Sequence, residues 1–230
     1  ALAGLAAVLY EWNRLEDAEA CARGALTAAK QLNADEIGVP AAVILARIQH
    51  ARGETMAAVQ LLRSTRANVR AAPYVLEVQH AQARLLQSLG QLNGLRELLD
   101  QVDERDSAHT PDTVRHIRAL TAARLRMALD EPDSVLILLQ HLEAESRAKG
   151  RVHSLIETHI LQALAYGRQD NDEAACEKLQ HALALAYLEG YQRLFLDEGH
   201  ELAALLRKAL PDAADKPYAA YARALLLGFA

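Results

Sequence analysis

The sequence predicts an all-α fold, a right-handed superhelix (solenoid) of about five antiparallel helix pairs followed by C-terminal capping helices. Of its 230 residues, 51% are hydrophobic but only 4% are aromatic, a composition typical of helices that pack closely through small side chains. Residues that favour tight turns recur at intervals of 40, 37, 40 and 40 residues. Small and apolar residues recur at fixed distances from those turns. Together these observations predict a stacked array of helix pairs.

One turn residue defines each repeat. Glycine, asparagine and aspartate tolerate the left-handed backbone angles with which a helix often ends in a tight turn. The five predicted turn residues are Asn13, Gly53, Gly90, Asp130 and Asp170. Seven positions before them stand Ala6, Ala46, Ala83, Ala123 and Ala163. Mainly apolar residues stand five, nine and twelve positions after each turn, which places them on one face of the second helix.

The five pairs follow one another through residues 1–189. In chain order they read LAAVLYEWNRLEDAEACARGAL, LARIQHARGETMAAVQLLRST, QARLLQSLGQLNGLRELLDQV, AARLRMALDEPDSVLILLQHL and QALAYGRQDNDEAACEKLQHAL. In each, a small residue in the first helix allows its partner to approach closely. We expect residues 33–40 and 105–113 to link neighbouring pairs.

Residues 190–230 are predicted to cap the array, because the last pair of a solenoid exposes an apolar face that has to be covered. Tyr191 and Phe195 supply bulky apolar side chains in LEGYQRLFLDEGHELAALLRKAL, a segment that also carries Arg193 and Asp197. We expect Asp197 to cap the helix that follows. The stretch YAAYARALLLGF predicts one more short helix.

Two resemblances support this interpretation. The pairs resemble tetratricopeptide repeats (TPRs), most closely in YEWNRLEDAEACARGAL. The stretch ALALAYLEGYQRLFLDEG resembles the segment that closes the sensor array of large ATP-binding LuxR-type (MalT-like) transcription regulators. In that family a P-loop ATPase precedes a TPR-like superhelix, and a helix-turn-helix domain follows it. The matching residues are Gly190, Tyr191, Arg193, Leu194, Phe195, Asp197, Glu198 and Gly199, whereas His200 and Glu201 stand where the family has a proline pair.

Composition and missing motifs exclude several functions. The net charge of −5 argues against a nucleic-acid surface on this chain. The sequence has no P-loop, zincin, nucleophile-elbow or dinucleotide-binding motif, and we expect neither an enzyme nor a metal site. We therefore expect no cofactor here, with ATP and DNA bound only by domains outside this chain. No apolar run is long enough for a membrane span, and Cys21 and Cys176 are expected to be buried free thiols in a piece of a longer cytoplasmic protein.

A candidate ligand site lies on the first helices of repeats two, three and four. Six positions before the turns stand Arg47, Arg84 and Arg124, an arginine ladder that would line the concave groove. Polar residues expected on the same helix faces are His50, Glu77, His80, Gln87 and Thr121. Arginine binds carboxylates and phosphates through paired hydrogen bonds. Either the ladder binds an anionic or polyhydroxy effector or an acidic peptide, or each arginine pairs with an acid of a neighbouring repeat, such as Glu77.

The resemblance implies an effector-sensing domain of a LuxR-type, ATP-dependent transcription regulator. Such a domain binds a small-molecule inducer or a protein partner in its groove, and the full-length protein self-associates. The alternative is a TPR scaffold that binds an acidic peptide or protein partner. An α-solenoid enzyme is a third class, for which no acid–base or nucleophile set is visible.

Overall fold

The computed structural model describes residues 1–102 and 110–229, and in these ranges it contains helices and no strands. The helices are α1 (Leu2–Glu11), α2 (Leu15–Leu32), α3 (Asp35–Ala51), α4 (Thr55–Asn68), α5 (Ala72–Ser88), α6 (Leu92–Val102), α7 (Asp112–Ala128), α8 (Pro132–Ala148), α9 (Val152–Arg168), α10 (Asp172–Ala186), α11 (Arg193–Leu196), α12 (Gly199–Ala209) and α13 (Ala219–Gly228). A short 3₁₀ turn, Pro211–Ala213, lies between α12 and α13. The predicted all-α character is confirmed.

The chain divides into two units, Ala1–Leu129 and Asp130–Ala230. In the first unit, α1 packs on α2, α3 on α4 and α5 on α6, and the first helices α1, α3, α5 and α7 lie side by side. In the second unit, α9 packs between α8 and α10, and α12 packs on both α9 and α10. Within each unit the helices therefore form pairs stacked as TPR-like repeats. The predicted boundary at residue 189 stays a prediction.

Each predicted turn residue has a positive φ angle. The values are 58° for Asn13, 84° for Gly53, 63° for Gly90, 64° for Asp130 and 57° for Asp170. In four of these turns, the amides of the turn residue and of the next residue donate to carbonyls in the last turn of the preceding helix. Gly53 N, for example, donates to His50 O at 2.9 Å. The left-handed residue reverses the chain while the last carbonyls of the helix keep hydrogen-bond partners.

The small-residue column is buried in all five repeats. Ala6, Ala46, Ala83, Ala123 and Ala163 are each at most 1% exposed. The apolar positions of the second helices are buried as well, except that Thr65 and Leu99 are only half-buried. In α6 it is Leu98, one residue earlier, that is buried.

The structure corrects one predicted link. Helix α3 begins at Asp35, so only Asn33 and Ala34 lie outside helices in the segment 33–40, and Pro40 lies inside α3. Asn33 ends α2 in a left-handed conformation. Of the second predicted link, residues 105–109 lie outside the described residues. Among those described, no helix has both the length and the apolar character that crossing a lipid bilayer requires.

Candidate functional site

The arginine ladder falls on three first helices that pack in sequence: Arg47 on α3, Arg84 on α5 and Arg124 on α7. We call the surface formed by α3, α5 and α7 the first-helix face. The three side chains differ in depth, because Arg47 and Arg84 are half-buried while Arg124 is only 2% exposed. A guanidinium at that depth needs compensating interactions, so Arg124 belongs to the interior more than to an open surface.

Arg47 makes an ion pair inside the array. Its Nη2 atom lies 3.3 Å from Oε1 of Glu11 on α1, and Glu11 is only 7% exposed. Its guanidinium carbon also lies 4.3 Å from the centroid of the Tyr10 ring, a cation–π geometry. These contacts join α1 to α3, the arrangement expected if this arginine holds adjacent repeats.

Two histidines of the face bond to threonines. His80 Nδ1 on α5 lies 3.1 Å from Oγ1 of Thr121 on α7, and Thr121 donates to the carbonyl of Ile117 at 2.7 Å. His50 Nδ1 lies 3.0 Å from Oγ1 of Thr55, across the Gly53 turn. The His80–Thr121 contact therefore fixes α5 against α7. Gln87 lies two turns further along α5 than His80 and is half-buried.

Glu77 departs from the simple pairing scheme. Within the described part of the chain, no hydrogen bond or ion pair reaches its carboxylate, and Arg84 is not its partner. The side chain is half-buried, and this desolvation raises the pKa of Glu77 to about 7. A half-buried carboxylate without a protein partner costs stability, and such groups concentrate at functional sites.

A second polar cluster, which the sequence did not reveal, lies in the second unit. Glu143 on α8 accepts from Arg147 at 2.9 Å, from Gln162 on α9 at 2.9 Å and from Lys178 on α10 at 2.8 Å. Burial alone would raise the pKa of Glu143, but these hydrogen bonds outweigh it and lower the pKa to about 2. His159, 1% exposed, lies 4.0 Å from Glu143, and burial lowers its pKa. Every member of the cluster has a protein partner, which is typical of a structural network.

The C-terminal segment packs on the last repeat of the second unit. Phe195 is fully buried, and its ring meets the Tyr221 ring edge to face at 6.1 Å. Tyr221 donates its hydroxyl to the carbonyl of Tyr191. Asp197 forms an ion pair with Arg193, and Glu198 occupies the N-cap position of α12. The predicted role of Asp197 as a helix cap stays a prediction.

Metal ligands and reactive thiols are the other kinds of functional group that the structure allows us to assess. In the ranges 1–102 and 110–229, no group of three or more histidine, cysteine, aspartate or glutamate residues is arranged to hold a metal ion. Cys21 and Cys176 are free and half-buried rather than fully buried. Burial and the nearby Asp172 raise the pKa of the Cys176 thiol, which weakens it as a nucleophile.

This chain is similar to a curated protein and to a solved structure, and it matches one family model. The HTH-type transcriptional regulator MalT of Vibrio campbellii is 26% identical over 210 residues, which cover 88% of this chain but only 23% of that protein. A crystal structure of kinesin light chain TPR-like repeats from Podosopora anserina aligns with a TM-score of 0.47 and 23% identity, over 81% of this chain and 93% of that one. The family model described as the MalT-like TPR region matches residues 1–212. The chain therefore belongs to the family of MalT-like TPR regions, as its resemblance to those regulators predicted.

Proposed function

We propose that this chain is the effector-sensing region of a LuxR-type, ATP-dependent transcription regulator. Its family membership supports this, as does the relative whose name describes an HTH-type transcriptional regulator. In this proposal the ATPase and the DNA-binding domain lie outside the chain, in a cytoplasmic protein that self-associates. The first-helix face binds a small polar effector.

The observation that supports the ligand site is the Glu77 carboxylate, which has no hydrogen-bond or ion-pair partner in the ranges 1–102 and 110–229. Glu77, His80 and Arg84 stand at steps of three and four residues on α5, so they share one face of the helix. The face thus presents a carboxyl group that accepts hydrogen bonds and a guanidinium that donates them. His80 is bonded to Thr121 on α7, which places this chemistry at the contact between two repeats.

This mixture favours a polyhydroxy ligand among the candidates. A hydroxyl group both donates and accepts hydrogen bonds, so it satisfies the Glu77 carboxylate and the Arg84 guanidinium together. An acidic peptide would place its carboxylates beside Glu77, and like charges in a half-buried site repel. The face is therefore better suited to a sugar-like effector than to the acidic partner of a TPR scaffold.

The regulatory mechanism follows from where the ligand binds. A ligand shifts an equilibrium only if it binds one state more tightly than the other. An effector that contacts α5 and α7 together favours the arrangement of these helices that completes its hydrogen bonds. The altered packing of neighbouring repeats then changes how readily the ATPase module self-associates.

Substitution of Arg84 and Glu77 tests the proposal. A panel of mono- to tetrasaccharides, sugar phosphates and dicarboxylates is screened by thermal shift, since a ligand that binds only the folded state raises the melting temperature. The hit is then titrated calorimetrically against Arg84→Ala, Glu77→Gln and the control Arg96→Ala, which alters an exposed arginine on α6. We expect both face variants to weaken binding at least about tenfold, and the control to bind normally.

Glu77→Gln separates binding from folding. Because it removes a half-buried charge, we expect it to weaken effector binding while leaving the fold as stable as before or more so. Normal binding by both face variants would reject the first-helix face as the site. An acidic peptide is tested beside the panel, and binding of that peptide without any hit in the panel would favour the scaffold function.

A further inference from the structure

A separate cavity of about 480 Å³ lies within the first unit, where α4 ends and α5 begins. Its polar lining consists of Arg66, Arg70, Gln79, Gln101 and Arg118, contributed by α4, α5, α6, α7 and the segment between α4 and α5. We call it the Arg66 cavity. Its volume falls in the range of small-molecule sites, about 300–1,000 Å³.

The charge of this lining has one sign. Three guanidinium groups and no carboxylate line the cavity among the described residues, although the chain carries a net charge of −5. Helix α4 contains no aspartate or glutamate. Glu97 lines the neighbouring cavity, together with Arg63 and Arg66. Like charges converging on one cavity raise the local concentration of counter-ions.

The lining is held in place by hydrogen bonds. Arg70 Nη1 donates to the carbonyls of Ala67 and Val69 at 3.1 and 3.4 Å, which anchors its guanidinium at the junction. Gln79 is 3% exposed, and its Nε2 donates to Oε1 of Gln101 at 3.3 Å. Because Gln101 accepts this bond through its oxygen, its own amide N–H groups can donate to a ligand.

Two further features add positive character. Ala72, the first residue of the 17-residue helix α5, lines the cavity, so the partly positive N-terminus of that helix lies beside the arginines. No hydrogen bond or ion pair among the described residues engages the Arg66 side chain. Donors and charge therefore converge on the cavity from five parts of the first unit.

We propose that the Arg66 cavity binds a small multivalent oxyanion, a phosphate-bearing or polycarboxylate molecule. Guanidinium groups bind both kinds of oxyanion through paired hydrogen bonds. The site is distinct from the first-helix face, because Ala72, Leu76 and Gln79 lie on a different side of α5 from Glu77 and Arg84. It can therefore be occupied together with the effector, and it does not depend on the function proposed above.

Titration of this chain with pyrophosphate and with citrate, at constant ionic strength, tests the proposal. We expect saturable binding by calorimetry and a rise in melting temperature, whereas sodium chloride at the same ionic strength has neither effect. The preferred probe identifies the natural class, since pyrophosphate stands for phosphate-bearing ligands and citrate for polycarboxylates. Absence of saturable binding for both probes would overturn the proposal.

Three variants locate the site. We expect Arg66→Gln to weaken binding about tenfold or more and Arg66→Lys to retain part of it. Arg63→Gln is the matched control, because Arg63 lies one turn earlier on α4 and lines only the neighbouring cavity. Circular dichroism verifies that each variant folds. Equal weakening by Arg63→Gln and Arg66→Gln would reject the Arg66 cavity and indicate diffuse attraction to the arginines of α4.

Discussion

Glu77 and Glu143 are two carboxylates whose pKa values are shifted in opposite directions. Desolvation by burial raises the pKa of Glu77 to about 7. At Glu143, desolvation is outweighed by hydrogen bonds from Lys178, Gln162 and Arg147, and the pKa falls to about 2. The difference lies in the partners that neighbouring helices supply.

Glu77 predicts a pH dependence of stability. Its folded pKa lies above its unfolded value of 4.5, so the stabilising contribution is complete below pH 4.5 and is lost as the pH rises through about 7. At pH 8 we expect Glu77→Gln to raise the free energy of unfolding by about 1–3 kcal/mol, and at pH 4 by nearly nothing.

Thermal unfolding at pH 4, 6 and 8 measures this effect. Glu97→Gln is the control, since Glu97 is an exposed carboxylate on α6 of the same unit, and its stability should follow the wild type at every pH. A pH-independent difference between Glu77→Gln and the wild type would show that the carboxylate is not desolvated.

Sequence reasoning located the polar residues of the first-helix face but not their partners. Helical spacing alone placed Glu77, His80 and Arg84 on one side of α5, because it fixes direction around a helix axis. Whether a carboxylate meets a guanidinium depends on helix separation and side-chain rotamers, which spacing does not encode. For the same reason the Glu143 cluster, assembled from three helices, had no signal in the sequence.

At the scale of elements, the turns were the most predictable feature. Few residue types adopt left-handed angles without strain, so a recurring Gly, Asn or Asp between periodic segments identifies where a pair reverses. The predicted link at 33–40 failed because Gly38 and Pro40 are common in loops. Both lie inside α3, where Pro40, the sixth residue of the helix, lacks the N–H that would donate to the carbonyl of Glu36.

Two glycines give opposite predictions for the same substitution. Gly53 has a φ of 84°, so Gly53→Ala should lower the free energy of unfolding by about 1 kcal/mol. Gly4 lies inside α1, and a Cβ added there would meet no atom within 4 Å, so Gly4→Ala should raise the free energy of unfolding by about 0.5–1 kcal/mol. Urea denaturation of both variants provides the measurement, and effects of the same sign would contradict the turn assignment.

At the scale of the whole molecule, the division into two units determines how far the destabilising effect of a substitution extends. In a solenoid each repeat contacts only its neighbours, so stability is a sum of local terms. Phe195 is fully buried against Tyr221 in the second unit. Phe195→Ala should therefore destabilise that unit by about 3–5 kcal/mol and leave helices α1 to α5 nearly unaffected.

Hydrogen exchange resolved by segment tests this prediction. We expect Phe195→Ala to accelerate exchange in α9 to α13 and to spare α1 to α5. Leu227→Ala, at a site that is 79% exposed on α13, should change neither. Equal acceleration in both units would mean that the chain unfolds as one cooperative body.

The architecture as a whole was predictable because it repeats. Each turn and small-residue column is seen five times, so agreement among copies reveals a pattern that one copy would not. The Arg66 cavity is formed where five different segments meet, so no recurring sequence pattern predicts it. A site that does not recur among the repeats is therefore visible only in the structure.

The buried methyl groups of Ala6, Ala46, Ala83, Ala123 and Ala163 govern how arrays of this kind diverge in evolution. Steric clearance at this column is fixed, because one added methylene in a close-packed interior displaces its neighbours. Amino-acid substitutions are therefore tolerated mainly at the outward-facing positions of the same helices. Related chains can thus differ in their outward-facing surfaces while this column of small residues stays the same.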